Sequence, residues 1–155
     1  MNANELMIGD LVQVAKDVCI KKGAIVKVCC IDEERVFPEK GLKGCTTCKQ
    51  IDDDTTSGGV WCEFLKPIPL TPEILEKNGF KEILVEGFFR LESNKDHDYW
   101  CVEVSTTKGY ELLHLDIEHI CDGIGQGGID NLKICFVHEL QHALKLCGIE
   151  KEIVL

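Results

Sequence analysis

Positive charge is what this 155-residue chain has least of: 17 Lys and Arg stand against 27 Asp and Glu, a formal net charge of −10 at pH 7 with an isoelectric point near 4.9. Proteins that hold nucleic acid draw affinity from the counterions that clustered Lys and Arg release from phosphates, and ten excess negative charges oppose that. Nucleic acid is therefore a disfavoured partner. Long apolar runs are missing as well. Nothing approaches the ~18 consecutive apolar residues of a membrane span, and the opening MNANELMIGD has neither a basic n-region nor an apolar h-region, so the chain is expected neither to span a membrane nor to be exported. Its 10 cysteines fall short of the density of a disulfide scaffold, and without an export signal they are expected to stay reduced in the cytoplasm. There is no repeat of fixed period, no low-complexity tract, no G-x-S-x-G, no Walker loop and no Ser/His/Asp order. What is present is a globular balance, 45% hydrophobic and 28% charged, with enough apolar surface to offset the entropy of ordering.

Met7 to Val14 and Ala24 to Ile31 are rich in β-branched residues and flank a Lys-Lys-Gly turn, which predicts two paired strands with Val26, Val28 and Cys30 on one face. Asp32 to Gly59 is polar and Gly-rich and reads as a long loop or flexible hairpin, with Asp52-Asp53-Asp54 as a solvated acidic run whose spacing misses the Gly of a calcium loop. Val60 to Leu65 predicts a short strand, and Lys66-Pro67-Ile68-Pro69 a boundary. Thr71-Pro72-Glu73 starts a helix, with Thr as N-cap and Pro at the first helical position, and Asn78-Gly79 stops it. Strand-like runs follow at 83–91, 99–105 and 110–120, then a Gly-rich turn at 123–128, a strand at 132–137 and a last helix from about His138 to Cys147, closed by Gly148. Cys29, Cys30, Cys62, Cys101, Cys135 and Cys147 fall on these strands and helices and read as small core or near-core residues.

The sharpest chemical signal is His138-Glu139-Leu140-Gln141-His142, a literal H-E-x-x-H on a predicted helix. Four-residue spacing puts both imidazoles on one face, where they can share one Zn²⁺ while Glu139 serves as general base to a bound water. A catalytic zinc wants a third protein ligand. Downstream only Cys147, Glu150 and Glu152 offer one, and upstream His114 and His119 have no spacing that requires it. The competing reading is a pair of surface histidines beside an apolar stripe. All five histidines lie between His97 and His142, so any histidine-metal chemistry belongs to the C-terminal half.

Cys45-Thr46-Thr47-Cys48 is half a zinc knuckle, but no second C-x-x-C completes it and no helix follows for a redox reading. Gly123 to Gly128 formally contains G-x-G-x-x-G, but a strand rather than a helix is expected after it, which favours a turn over a dinucleotide site. Asp116 and Glu118 read as a solvated strand face.

Three segments, MNANELMIGDLV at 1–12, KPIPLTPEILEKNGF at 66–80 and VHELQHALKLCGIE at 137–150, together resemble a family of small uncharacterised bacteroidete proteins, often encoded in prophages or other mobile elements. The resemblance implies no activity, cofactor or catalytic residue. The family pattern carries an amide where this chain has His142, so the second histidine of H-E-x-x-H is a departure, and the resemblance implies that VHELQ serves helix docking.

The expected molecule is α+β. Residues 1–66 form a small curved β-sheet or SH3-like barrel, and residues 67–155 an antiparallel sheet with a short helix and a C-terminal helix packed on it, either as separate subdomains or around one core. The expected function is a non-enzymatic binding or accessory protein of a bacterial prophage or mobile element, cytoplasmic, with a protein partner and no cofactor. The alternative is a zinc-dependent hydrolase with His138 and His142 as ligands and Glu139 as base; Cys45 and Cys48 are the weaker metal candidates.

Overall fold

A computed structural model describes residues 1–17, 20–32, 35–38, 60–83, 86–95, 98–106, 113–121 and 124–155. The chain divides into two compact units, Met1–Ile68 and Pro69–Leu155. The architecture is α+β, with two antiparallel five-stranded sheets and two α-helices among the described residues. None of these helices is long and apolar enough to cross a membrane.

In the first unit, β1 (Leu11–Val14), β2 (Ile25–Asp32), β3 (Arg35–Pro38), β4 (Val60–Trp61) and β5 (Leu65–Lys66) stand in the order β4-β3-β2-β1-β5. Alternation makes the core: Val12, Val14, Val26, Val28, Val36 and Val60 are buried, joined by Leu6, Ile20, Cys62 and Leu65. The Lys21-Lys22-Gly23 turn forms as the sequence suggests, with Gly23 at φ +88° donating its N–H to the Val14 carbonyl at 2.8 Å. The expected strand at 60–65 is instead two strands separated by a 3-10 turn, Cys62–Phe64, because the chain crosses there from one edge of the sheet to the other. Of the two forms expected for this part, a small curved sheet or an SH3-like barrel, the described residues take an open sheet, with β4 and β5 as its two edges.

Two further outcomes concern β2 and β3. The region from Asp32, expected as a long loop or flexible hairpin, contains β3, which pairs antiparallel with β2 and so favours the hairpin at this end; Val36 faces the core and the Arg35 guanidinium lies 4.9 Å from the Trp61 ring centroid. Cys29 and Cys30, read as near-core, are exposed: the β2–β3 register shifts between Val28 and Cys30, and the irregularity breaks the two-residue alternation that buries Val26 and Val28. Most of the expected loop, with Cys45, Cys48 and Asp52 to Asp54, lies outside the described residues.

The second unit is a meander of β6 (Lys81–Glu82), β7 (Phe88–Lys95), β8 (Asp98–Thr106), β9 (Leu113–Cys121) and β10 (Ile124–Ile134), in the order β10-β9-β8-β7-β6. Helix α1 (Pro72–Lys77) precedes it and α2 (Val137–Leu146) follows it. The α1 boundaries are those the capping residues dictate. Thr71 Oγ1 accepts the Ile74 N–H at 3.4 Å, and the end closes in a Schellman motif: Gly79, at φ +84°, donates to the Glu76 carbonyl and Phe80 to that of Leu75. α2 ends the same way, Gly148 donating to Lys145 and Ile149 to Leu144.

One face of the meander is buried, with Phe89, Val102, Val104, Leu113, Leu115, Ile117 and Ile134 in the core together with Leu75, Leu140, Ala143 and Leu144 of the helices. The Gly-rich segment expected as a turn at 123–128 belongs, from Ile124 on, to β10, whose glycines tolerate its shifts of register against β9. The run at 83–91 does not form one strand; Ile83 follows β6, and β7 begins at Phe88 beyond Gly87, at φ +81°. Val137, expected in a strand, opens α2.

Candidate functional site

α2 carries the H-E-x-x-H segment, and its two histidines do become neighbours. His138 is buried and stacks on Phe136, with centroids 5.9 Å apart and planes at 13°; the His142 ring meets it edge-on at 5.6 Å and 79°. Glu139 points elsewhere. Its Oε2 accepts the backbone N–H of Cys135 at 2.6 Å and of Phe136 at 3.0 Å, satisfying donors at the start of α2 that have no partner within the helix. The carboxylate is the capping residue of the helix, and this is the local reason the helix begins where it does.

The remaining ligand candidates are dispersed. His119 is hydrogen-bonded to Asp98 and to the Cys147 carbonyl, and His114 to Asn131. The Cys147 thiol is buried, and burial pushes its pKa up. Glu150 and Glu152 are exposed. Among the described residues no group of three or more His, Cys, Asp or Glu stands close enough to hold one metal ion. Cys45, Cys48 and His97 lie outside these residues.

The other chemistry-bearing surface is the open face of the second sheet. Two-residue alternation sends Tyr99, Cys101 and Glu103 of β8 and His114, Asp116 and Glu118 of β9 to the side opposite the core, and antiparallel register sets Glu103 beside Asp116 and Cys101 beside Glu118. Arg90 of β7 pairs with Glu103, and Gly128 of β10 with Glu118. Together with Ile117 and Asp130 these residues, except His114, line a hollow of about 480 Å³. Gly128 has no side chain to fill the space opposite Glu118.

Four carboxylates, Glu103, Asp116, Glu118 and Asp130, face this hollow against one guanidinium. Arg90 Nε donates to Glu103 Oε1 at 2.8 Å, which holds the arginine even further above the neutral range. Burial raises the Tyr99 phenol and the Cys101 thiol alike, so both are neutral at pH 7 and Cys101 is not an activated nucleophile. A bulge in β10 sets the rim: the register shifts between Ile129 and Leu132, Asn131 adopts φ +52°, and its N–H is held by Asp116 Oδ1 at 2.6 Å. His114 Nδ1 lies 2.5 Å from Asn131 Oδ1, a hydrogen bond that ties the Asn131 side chain to β9.

Asp116 and Glu118 were legible as an outward strand face. Arg90, Tyr99, Cys101, Glu103 and Asp130 were not, because strand register places them beside those carboxylates; the alternation in Tyr99-x-Cys101-x-Glu103 was the available signal. No family model, curated protein or solved structure matches this chain.

Proposed function

We propose that this is a non-enzymatic binding protein of the bacterial cytoplasm, and that the hollow on the open face of its second sheet takes a Lys- or Arg-bearing segment of a protein partner. The hollow carries this reading. Four carboxylates with a single paired arginine create a field that attracts cations and repels phosphates, in keeping with the net charge of −10. Neutral Tyr99 adds a ring face against which an aliphatic or guanidinium stem can lie. The accessory role in a prophage or mobile element is supported by the sequence resemblance alone.

Titration of the whole chain with a ten-residue Lys/Arg peptide, followed by amide chemical shifts, tests it. Shifts are expected at Cys101, Glu103, Glu118 and Gly128, weakening with salt and abolished in Glu118→Lys/Asp130→Lys. Shifts scattered over the surface, or unchanged in that variant, would sink the idea.

The zinc hydrolase reading has the adjacent His138 and His142 rings in its favour. It lacks a third donor among the described residues, and its general base is held by two backbone N–H groups. Zinc content of untagged protein, with His142→Asn beside it, separates the two: stoichiometric zinc lost in the variant would favour the hydrolase.

A further inference from the structure

His119 stands near the end of β9 on the buried face of the second sheet, 8% exposed, with an acceptor at each ring nitrogen. Nε2 lies 2.7 Å from Asp98 Oδ1, and Nδ1 is hydrogen-bonded to the carbonyl oxygen of Cys147, the C-cap of α2. A carbonyl oxygen can only accept, so Nδ1 bears a proton; an ionised carboxylate can only accept, so the second bond needs a proton on Nε2 too. Neutral imidazole has one N–H, and only imidazolium makes both bonds. We infer that His119 is a proton-dependent latch, holding the end of α2 and the segment after it to the sheet when charged and loosening them when it deprotonates.

The surroundings of the ring agree. β8 brings the Asp98 carboxylate and, at the paired position, the uncharged Trp100, while β10 brings Gly127. The α2 terminus brings its carbonyls, the negative end of the helix dipole, and a Cys147 thiol that burial keeps neutral. Lys145 and Glu150, on either side of that terminus, are exposed. The Cys147 carbonyl first and Asp98 second favour the charged ring, burial opposes it, and the balance lies above the ordinary value of 6.5.

A second tie on the same segment does not titrate. Asn78 Nδ2 donates to the Val154 carbonyl at 2.7 Å, and Val154 N–H donates to Asn78 Oδ1 at 2.8 Å, while Ile149 and Ile153 are buried. The neutral ring keeps one N–H, which stays on Nε2 because the Asp98 carboxylate is the stronger acceptor, so the Cys147 carbonyl loses its donor and that end loosens while the Val154 end stays in place. Because the folded-state pKa is raised, the latch is fully engaged below the unfolded histidine value and is lost as pH rises through the folded value.

The test is a pH series on the whole chain by NMR, from about pH 5 to about pH 8, spanning the range in which histidine changes charge. The His119 Cε1–H midpoint is expected above 6.5. Amide-exchange protection at Gly148 and Ile149, corrected for intrinsic base catalysis, is expected to fall about tenfold for each unit by which the midpoint is raised, while Val102 and Leu115 hold. Asp98→Asn should move the midpoint down with the fold intact, since Asp98 is half exposed, and His119→Gln should abolish the pH dependence at Gly148. A wild-type midpoint at or below 6.5, an unmoved midpoint in Asp98→Asn, or the same fall in protection in His119→Gln would each overturn the latch.

Discussion

Replacing Glu139 separates the two roles its position in H-E-x-x-H allows. In the structure its half-buried carboxylate accepts two backbone N–H groups, from Cys135 and Phe136, and sits in the first turn of α2, where the dipole favours negative charge. Hydrogen bonds to a charged group contribute about 1.5–3 kcal/mol each, and losing a helix cap costs about 0.5–2 kcal/mol. The two bonds share one oxygen and exposure tempers both, so Glu139→Ala is expected to cost about 2 kcal/mol. Glu139→Gln keeps an acceptor oxygen without the charge and should cost about half as much. Urea unfolding followed by far-UV circular dichroism reads this directly, as a lower midpoint with an unchanged slope. The loss should be the same in EDTA and in added zinc, because it arises in backbone capping. An Ala variant within about 0.5 kcal/mol of the parent would refute the capping argument. A loss seen only with zinc present would return Glu139 to a metal site.

Other substitutions test the fold that carries the site. Gly87→Ala should be among the worst single changes in the second unit, costing more than about 2 kcal/mol by the same unfolding assay, since φ is +81° and a Cβ would clash with Thr106 Oγ1. Gly148→Ala, at φ +72° but with its nearest neighbour, the His119 ring, at 3.6 Å, should cost only about 1 kcal/mol. Asn78→Ala removes three hydrogen bonds from a 6% exposed amide and should cost about 2–3 kcal/mol, with faster proteolysis of the C-terminal segment as the accompanying sign. Leu115→Ala should cost about 2–5 kcal/mol and its cross-strand neighbour Leu132→Ala less than about 1 kcal/mol, because Leu115 is fully buried and Leu132 is 40% exposed on the edge strand.

Local chemistry carried the most legible parts of this molecule. Thr71-Pro72 and Asn78-Gly79 bracket α1 because cap hydrogen bonds and a positive φ are decided within a few residues. Gly148 likewise closes α2, and Val26 and Val28 turn inward by strand alternation alone. The same alternation failed at Cys29 and Cys30, where a bulge intervenes, and from Ile124 to Gly128, where glycines that signal a turn sit in a long strand. Both outcomes depend on a partner strand, and no window of sequence contains one.

The candidate sites divide along the same line. Spacing alone determined that His138 and His142 would share a helix face, because a helix repeats every 3.6 residues whatever surrounds it. Tertiary structure decided that Glu139 faces back to cap that helix, and that Cys147 offers its carbonyl rather than its thiol to His119. Register, acting between residues up to 40 positions apart, decided that Arg90, Glu103, Glu118 and Asp130 would face one hollow. Composition determined the sign of its field, since a chain with ten more acidic than basic residues has few cations to place among its carboxylates. Only strand pairing could bring those carboxylates together, because the chain must fold back on itself before their charges add.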